Sequence, residues 1–220
     1  MSVDLRLYAL VDPDRNGGHD LAALSRSVAE GGATLVQLRD KSGSTLRMIE
    51  EARAIKTALA GSFVPLLIND RVDVALAAGA DGVHVGWDDM PVADARRLLG
   101  REAIIGLSIK THAQVEAAPL DLLDYVCIGG VFETSSKDNR EPPVRPKGFA
   151  ELASRVRQRA PNMPVGAIAG IDESNAAEVI AAGADGIAVI STLSLAPDPG
   201  QAAKRLRDIV DAGLRLRGAA

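Results

Sequence analysis

Cysteine is nearly absent: the chain of 220 residues holds one, Cys127. A single cysteine excludes an internal disulfide and fits a reducing compartment. It lies in the apolar run Tyr125-Val126-Cys127-Ile128, where a buried, inert thiol is expected rather than a nucleophile. Aromatic residues make up 3% of the chain, too few for base-stacking platforms. Basic residues are not in excess: 25 Lys and Arg stand against 29 Asp and Glu, a net charge of −4, so nothing points to a nucleic-acid partner. No apolar run is long enough to span a bilayer, and residues 1–6 carry charges without the apolar core of a signal peptide. The expectation is a cytoplasmic protein without membrane partners. Motifs for zinc hydrolysis, catalytic triads or dithiol chemistry (HExxH, GxSxG, CxxC) are also missing. Of the three histidines, His84 alternates with Val83 and Val85 and reads as a satisfied core or lumen imidazole, His112 as surface, and His19 as part of a Gly-rich turn.

What the chain has is a regular alternation of short apolar runs with amphipathic segments, and 47% apolar residues to build a core. Strands are predicted over 5–11, 34–38, 64–68, 82–85, 104–107, 125–128, 165–168 and 187–190. Helices are predicted over 21–30, 46–59, 72–78, 92–99, 113–118, 149–159, 175–182 and 201–216. A polar, Pro-rich loop is predicted over 130–147, a length typical of lids or binding loops. Strands alternating with helices imply parallel βαβ units, and eight of them in this length fit one (β/α)8 TIM barrel, a single domain over residues 1–220. A doubly wound open sheet is the alternative, disfavoured because no GxGxxG follows the first strand.

A repeat supports the barrel. Ala77-Ala78-Gly79-Ala80-Asp81-Gly82-Val83 recurs as Ala181-Ala182-Gly183-Ala184-Asp185-Gly186-Ile187, with Glu30-Gly31-Gly32-Ala33 as a weaker copy. Each copy ends a helix, turns on a glycine and starts a strand, which puts it at the N-terminal face. That face serves stability, whereas barrel active sites lie at the C-terminal face. Asp81 and Asp185 are therefore read as structural.

The same rule selects candidates at strand C-termini: Gln37, Arg39 and Lys41; Asn69 and Asp70; Trp87, Asp88 and Asp89; Ser108; Thr134, Ser135, Ser136 and Lys137; Gly170; and Ser191. Because strand side chains alternate, Gln37, Arg39 and Lys41 share one face, and Leu38 and Asp40 the other. An amide and two cations suit a polyphosphate, though a solvated strand end would look the same. Asp70 reads equally as a helix N-cap and as a metal ligand; with Asp89 on the neighbouring strand, the two carboxylates could share Mg²⁺. Thr134 to Lys137 reads as a phosphate loop or as a Ser-rich turn, while the loops after strands seven and eight match a recurrent phosphate site of barrels.

These residues resemble a known family. Gln37-Leu38-Arg39-Asp40-Lys41, Leu67-Ile68-Asn69-Asp70-Arg71, the stretch 79–85 with Gly86 and Asp88-Asp89-Met90, and the stretches 129–137 and 183–191 are similar in order and spacing to thiamine-phosphate synthases, over nearly the whole chain. The resemblance implies an enzyme that joins 4-amino-2-methyl-5-(diphosphooxymethyl)pyrimidine to a thiazole phosphate, carboxylated or not, releasing pyrophosphate. It implies a pyrimidine diphosphate bound by the pentad Gln37, Leu38, Arg39, Asp40 and Lys41 together with Asn69 and Lys137. Arg39, Lys41, Lys137 and Ser108 would be catalytic, with Ser108 also touching the pyrimidine. Asp70 and Asp89 would hold Mg²⁺, and Thr134, Ser135, Ser136, Gly170, Ile190 and Ser191 the thiazole phosphate. Three positions depart from the family pattern: Trp87 for a common Gln, Lys110 for a common His, and Ala169 for the first Gly of a Gly-Gly-Ile turn. A tautomerase acting on the thiazole phosphate and a non-catalytic phosphate-binding barrel are the alternatives.

Overall fold

The apolar runs pair side by side in sequence order and close on themselves. The structure is a computed structural model that describes residues 3–134 and 142–218. Its strands are β1 (Leu7–Val11), β2 (Leu35–Leu38), β3 (Leu66–Asn69), β4 (Gly82–Val85), β5 (Ile104–Ile109), β6 (Tyr125–Gly129), β7 (Val165–Ile168) and β8 (Gly186–Val189). All neighbours are parallel, and β8 pairs back onto β1 with Ile187 opposite Leu7, so the sheet is a closed barrel. The helices are α1 (Leu21–Glu30), α2 (Thr45–Ala58), α3 (Val72–Ala78), α4 (Val92–Leu99), α5 (His112–Ala117), α6 (Arg145–Arg159), α7 (Ala176–Ala181), α8 (Ser191–Ser194) and α9 (Pro199–Gly218).

Strand alternation explains why both strand faces are apolar. Leu7, Ala9, Val11, Val36, Leu38, Ile68, Val83 and Val85 point outward into the layer under the helices. Tyr8, Leu10, Leu35, Leu67, Tyr125, Cys127 and Ala188 fill the lumen. The lumen accepts two tyrosines because β5 gives up a side chain: a Cβ on Gly106 would lie 2.4 Å from the Tyr125 hydroxyl.

The repeated turns hold the N-terminal rim. Gly79 ends α3 at φ +66°, the left-handed conformation that glycine adopts without strain. The Asp81 carboxylate then accepts the Leu66 N–H at 2.8 Å, and Asp185 accepts the Val165 N–H at 2.9 Å and an Arg157 N–H at 2.9 Å. Asp124, outside the repeat, does the same for the Ile105 N–H at 2.8 Å and Arg96 at 2.6 Å. Each of these carboxylates ties one strand start to its neighbour.

Several boundaries differ from the sequence expectation. β3 starts at Leu66 because Pro65 has no N–H to give the ladder; its carbonyl accepts the Val36 N–H instead. α6 starts at Arg145, four residues before the predicted start, with Pro146 in the first turn, where its missing N–H costs nothing. The four-residue α8 is too short to leave a periodic trace. Asp70 is not the cap of α3: the N-cap position is Arg71, and no side chain caps that helix.

Candidate active site

The C-terminal ends of β1 to β4 bring cations and carboxylates together. Arg39, just past β2, pairs through its guanidinium with the carboxylate of Asp12, just past β1. Lys41 pairs with Asp70, past β3. Asn69 donates to the same Asp70 oxygen at 2.6 Å. Asp70 has a left-handed backbone, φ +60°, and its N–H is held by the His84 carbonyl at 2.8 Å. That geometry turns its carboxylate against that of Asp89, whose own oxygen accepts the Gly86 N–H at 2.8 Å. Burial and the adjoining Asp89 raise the Asp70 pKa above the usual carboxylate value, against the opposing pull of Lys41. No group of three or more His, Cys, Asp or Glu side chains suited to a metal occurs among the described residues.

Beside this charged group a cavity of about 300 Å³ opens into the barrel mouth. Gln37, Arg39, Asn69, His84 and Ser108 line one side; Thr134, Gly170, Ile190 and Ser191 line the other. Lys41, Asp70 and Asp89 stand at its rim, joined to it through Asn69. The Gly170 carbonyl accepts from Asn175 at 2.9 Å and the Ile171 carbonyl from Thr192 at 2.8 Å, which fixes the turns after β7 and β8. Ala169 is held at φ +82°, a conformation that suits glycine better than alanine. Trp87 donates its indole N–H to the Ser108 carbonyl at 2.9 Å, and the Lys110 N–H is bound by Gln114 at 2.7 Å.

Besides Lys41 at the rim, two residues of the pentad stay out of the cavity lining. Leu38 is 1% exposed in the layer under the helices, because alternation sends it outward. The Asp40 carboxylate turns back to accept the Ser42 and Gly43 N–H groups at 2.9 and 2.7 Å. Ser135, Ser136 and Lys137 lie outside the described residues.

Three further residues belong to the site without having been nominated. Asp12 follows the strand-end rule, but the Asp-Pro-Asp sequence around it reads first as a turn. Tyr8 and Tyr125 sit in runs that are apolar on both faces, so alternation gives no hint that their hydroxyls face the lumen. The Gln37 amide donates to the Tyr8 hydroxyl, which meets the Tyr125 hydroxyl at 2.9 Å. Tyr125 meets His84 Nδ1 at 2.8 Å, and His84 Nε2 meets Ser108 Oγ at 2.9 Å. His84 is thus the satisfied lumen imidazole expected from its strand position.

A larger, more open depression of about 940 Å³ lies at the N-terminal rim, near Phe63 and Asp81. Its Arg53 and Lys56 already serve backbone carbonyls, those of Ala77 and Gly79. Among the described residues no helix is long and apolar enough to cross a membrane.

Comparison with known proteins agrees with the fold. A family model described as thiamine monophosphate synthase matches residues 7–193. The thiamine-phosphate synthase of Agrobacterium fabrum is 54% identical over 215 residues, covering 98% of this chain and 98% of its own. That of Albidiferax ferrireducens is 45% identical over 208 residues, covering 94% and 93%. Among solved structures, thiamine phosphate pyrophosphorylase from Pyrococcus furiosus superposes with a TM-score of 0.84 at 34% identity, over 96% of this chain and 98% of that one. With a family match over most of its length and half its residues shared with a full-length relative, this chain belongs to the thiamine-phosphate synthase family.

Proposed function

We propose that the mouth of this barrel joins an aminopyrimidine carrying a diphosphooxymethyl group to a thiazole phosphate, giving thiamine phosphate and pyrophosphate. The observation that carries the reading is the meeting of Arg39, Lys41 and Asn69 with the paired carboxylates of Asp70 and Asp89, beside a cavity lined by hydroxyls. A diphosphate takes donors for its oxygens, and a phosphate monoester takes hydroxyls and backbone N–H groups, a type of lining that Thr134, Ser191 and the Gly170 turn bring to the cavity alongside Glu133 and Asp172. Arg39, Asn69, Thr134 and Ser191 all line one cavity, which supports both substrates binding in it.

The donor set also fits a divalent cation. Arg39 and Lys41 are already matched by Asp12 and Asp70, and Asp89 adds a further carboxylate, so this group has no positive excess to receive a diphosphate. The raised pKa of Asp70 records that crowding. Two carboxylates with phosphate oxygens and water make a usual Mg²⁺ shell, and a Mg²⁺ held by Asp70 and Asp89 would supply the charge that lowers the cost of pyrophosphate departure.

The chain's own residues then do the positioning. Arg39, held in place by Asp12, directs its fork at the diphosphate while Lys41 neutralises charge that grows as the pyrimidine C–O bond breaks. Gln37 and Ser108 orient the ring, whose amino group stabilises the resulting cation. Thr134, Gly170, Ile190 and Ser191 hold the thiazole phosphate so that the thiazole nitrogen faces the cationic carbon, and Lys137 adds a further cation on the pyrophosphate. No general base is needed. The relatives carry the synthase name, and neither the tautomerase nor the non-catalytic reading draws support from them.

Mixing both phosphorylated substrates with Mg²⁺ tests the proposal. Thiamine phosphate and pyrophosphate should form in equal amounts. Binding of both substrates without either product would overturn it.

A further inference from the structure

The chain of side chains that crosses the lumen has a direction. Gln37 is 1% exposed and its amide nitrogen donates to the Tyr8 oxygen, so the single Tyr8 proton must go on to Tyr125. The Tyr125 proton must then go to His84 Nδ1. That makes Nε2 the protonated nitrogen, donating to Ser108 Oγ. Burial raises the pKa of both phenols, so each keeps the proton that this order requires. The two ends of the chain are therefore unlike. Gln37 Oε1 is buried beside the cavity with no partner among the described residues, and it can only accept. Ser108 accepts from His84, which leaves its own hydroxyl proton for the cavity.

We infer that Tyr8, Tyr125 and His84 are positioning residues that fix Gln37 as an acceptor and Ser108 as a donor, and that this polarity selects an aminopyrimidine over its 4-oxo counterpart. The inference rests on the proposed function. An aminopyrimidine donates from its amino group and accepts at its ring nitrogens, which matches the two ends. The 4-oxo ring places a carbonyl where the amino group was and carries a ring N–H, so it sets acceptor against acceptor and donor against donor. A buried mismatch of this kind is what gives hydrogen-bonding sites their large discrimination. Neither tyrosine lines the cavity; they act through the relay, because the Gln37 amide can turn only if every proton along it reverses and His84 changes tautomer. Tyr8→Phe or Tyr125→Phe cuts the relay, so the amide can turn alone and present a donor to the cavity.

Two measurements test this. The first is the ratio of dissociation constants for the 4-oxo and 4-amino pyrimidine diphosphates, measured with Mg²⁺ present. The native chain should prefer the amino compound by more than about 100-fold, and Tyr8→Phe and Tyr125→Phe should cut the preference to roughly tenfold or less. Their affinity for pyrophosphate with Mg²⁺ should stay within about twofold of native, since those contacts are at the rim. A merely structural role would weaken both pyrimidines alike; an unchanged ratio overturns the inference, as does a native chain without preference. If neither pyrimidine binds the native chain, the proposed function fails instead, and this inference falls with it. The second measurement needs no variant: nitrogen-15 NMR of the His84 ring. The chain has three histidines, so the signal is assignable. The Nε2–H tautomer is expected, and the Nδ1–H tautomer would overturn the inference even if both Phe variants failed to fold.

Discussion

The Arg39 guanidinium and the Asp12 carboxylate form an ion pair across the ends of β2 and β1, with Asp12 only 2% exposed and Arg39 15%. Asp12 is itself fixed, accepting the Asp14 N–H at 2.9 Å. The pair therefore aims the guanidinium rather than merely neutralising it. Asp12→Asn keeps the shape and removes the charge. Steady-state kinetics should show KM for the pyrimidine diphosphate rising about tenfold, with a smaller fall in kcat, because one charge-assisted contact is loosened. Unchanged KM would mean that Arg39 is positioned by something else.

Asp70 should make the metal-free protein less stable as the pH rises. Burial and Asp89 raise its folded-state pKa above the unfolded value of 3.8, with Lys41 opposing. The folded state then holds the Asp70 proton longer than the unfolded state does. The stability from this group is fully present below the unfolded pKa and is lost as the pH rises through the folded one. Asp70→Asn removes that loss. In metal-free buffer near neutral pH the variant should melt at a higher temperature than the native chain. It should also lose stabilisation by Mg²⁺ and about 100-fold or more of its turnover. Thermal melts across the acid range, with and without Mg²⁺, check all three.

Ala169 occupies a left-handed position, φ +82°, in the cavity wall beside Gly170. Ala169→Gly should relieve the strain and stabilise the chain by about 0.5–1 kcal/mol, net of the extra freedom that glycine gives the unfolded state. Urea unfolding should show a higher midpoint at an unchanged slope.

Gly106 marks the space taken by the Tyr125 ring, since a Cβ there would lie 2.1 Å from the ring carbon that bears the hydroxyl. Gly106→Ala should cost about 1–3 kcal/mol by overpacking and push Tyr125 away from His84. The same urea measurement reads the first effect. A loss of preference for the aminopyrimidine reads the second.

Much of this was legible in the sequence, for reasons that particular residues show. The Gly79 and Gly183 turns announced helix ends and strand starts, and with them the face that carries no chemistry. Alternation along β2 sent Gln37 and Arg39 inward and Leu38 outward, as found. Other features had no signature. Tyr8 and Tyr125 lie in strands that are apolar on both sides, so nothing local distinguishes a lumen hydroxyl from a core ring. Asp70 looked as much like a cap as a ligand because its left-handed backbone, which swings the carboxylate toward Asp89, is set by the neighbouring strand through the His84 carbonyl. Asp12 was hidden by the turn chemistry around it.

Crystals grown with Mn²⁺ and pyrophosphate test, by anomalous scattering, the proposal that Asp70 and Asp89 share one divalent ion that grips the leaving group. A manganese peak between the two carboxylates is expected, with pyrophosphate oxygens in its shell and Arg39 and Lys41 on the outer oxygens. Pyrophosphate bound at the mouth with manganese elsewhere, or touching neither carboxylate, would contradict the account.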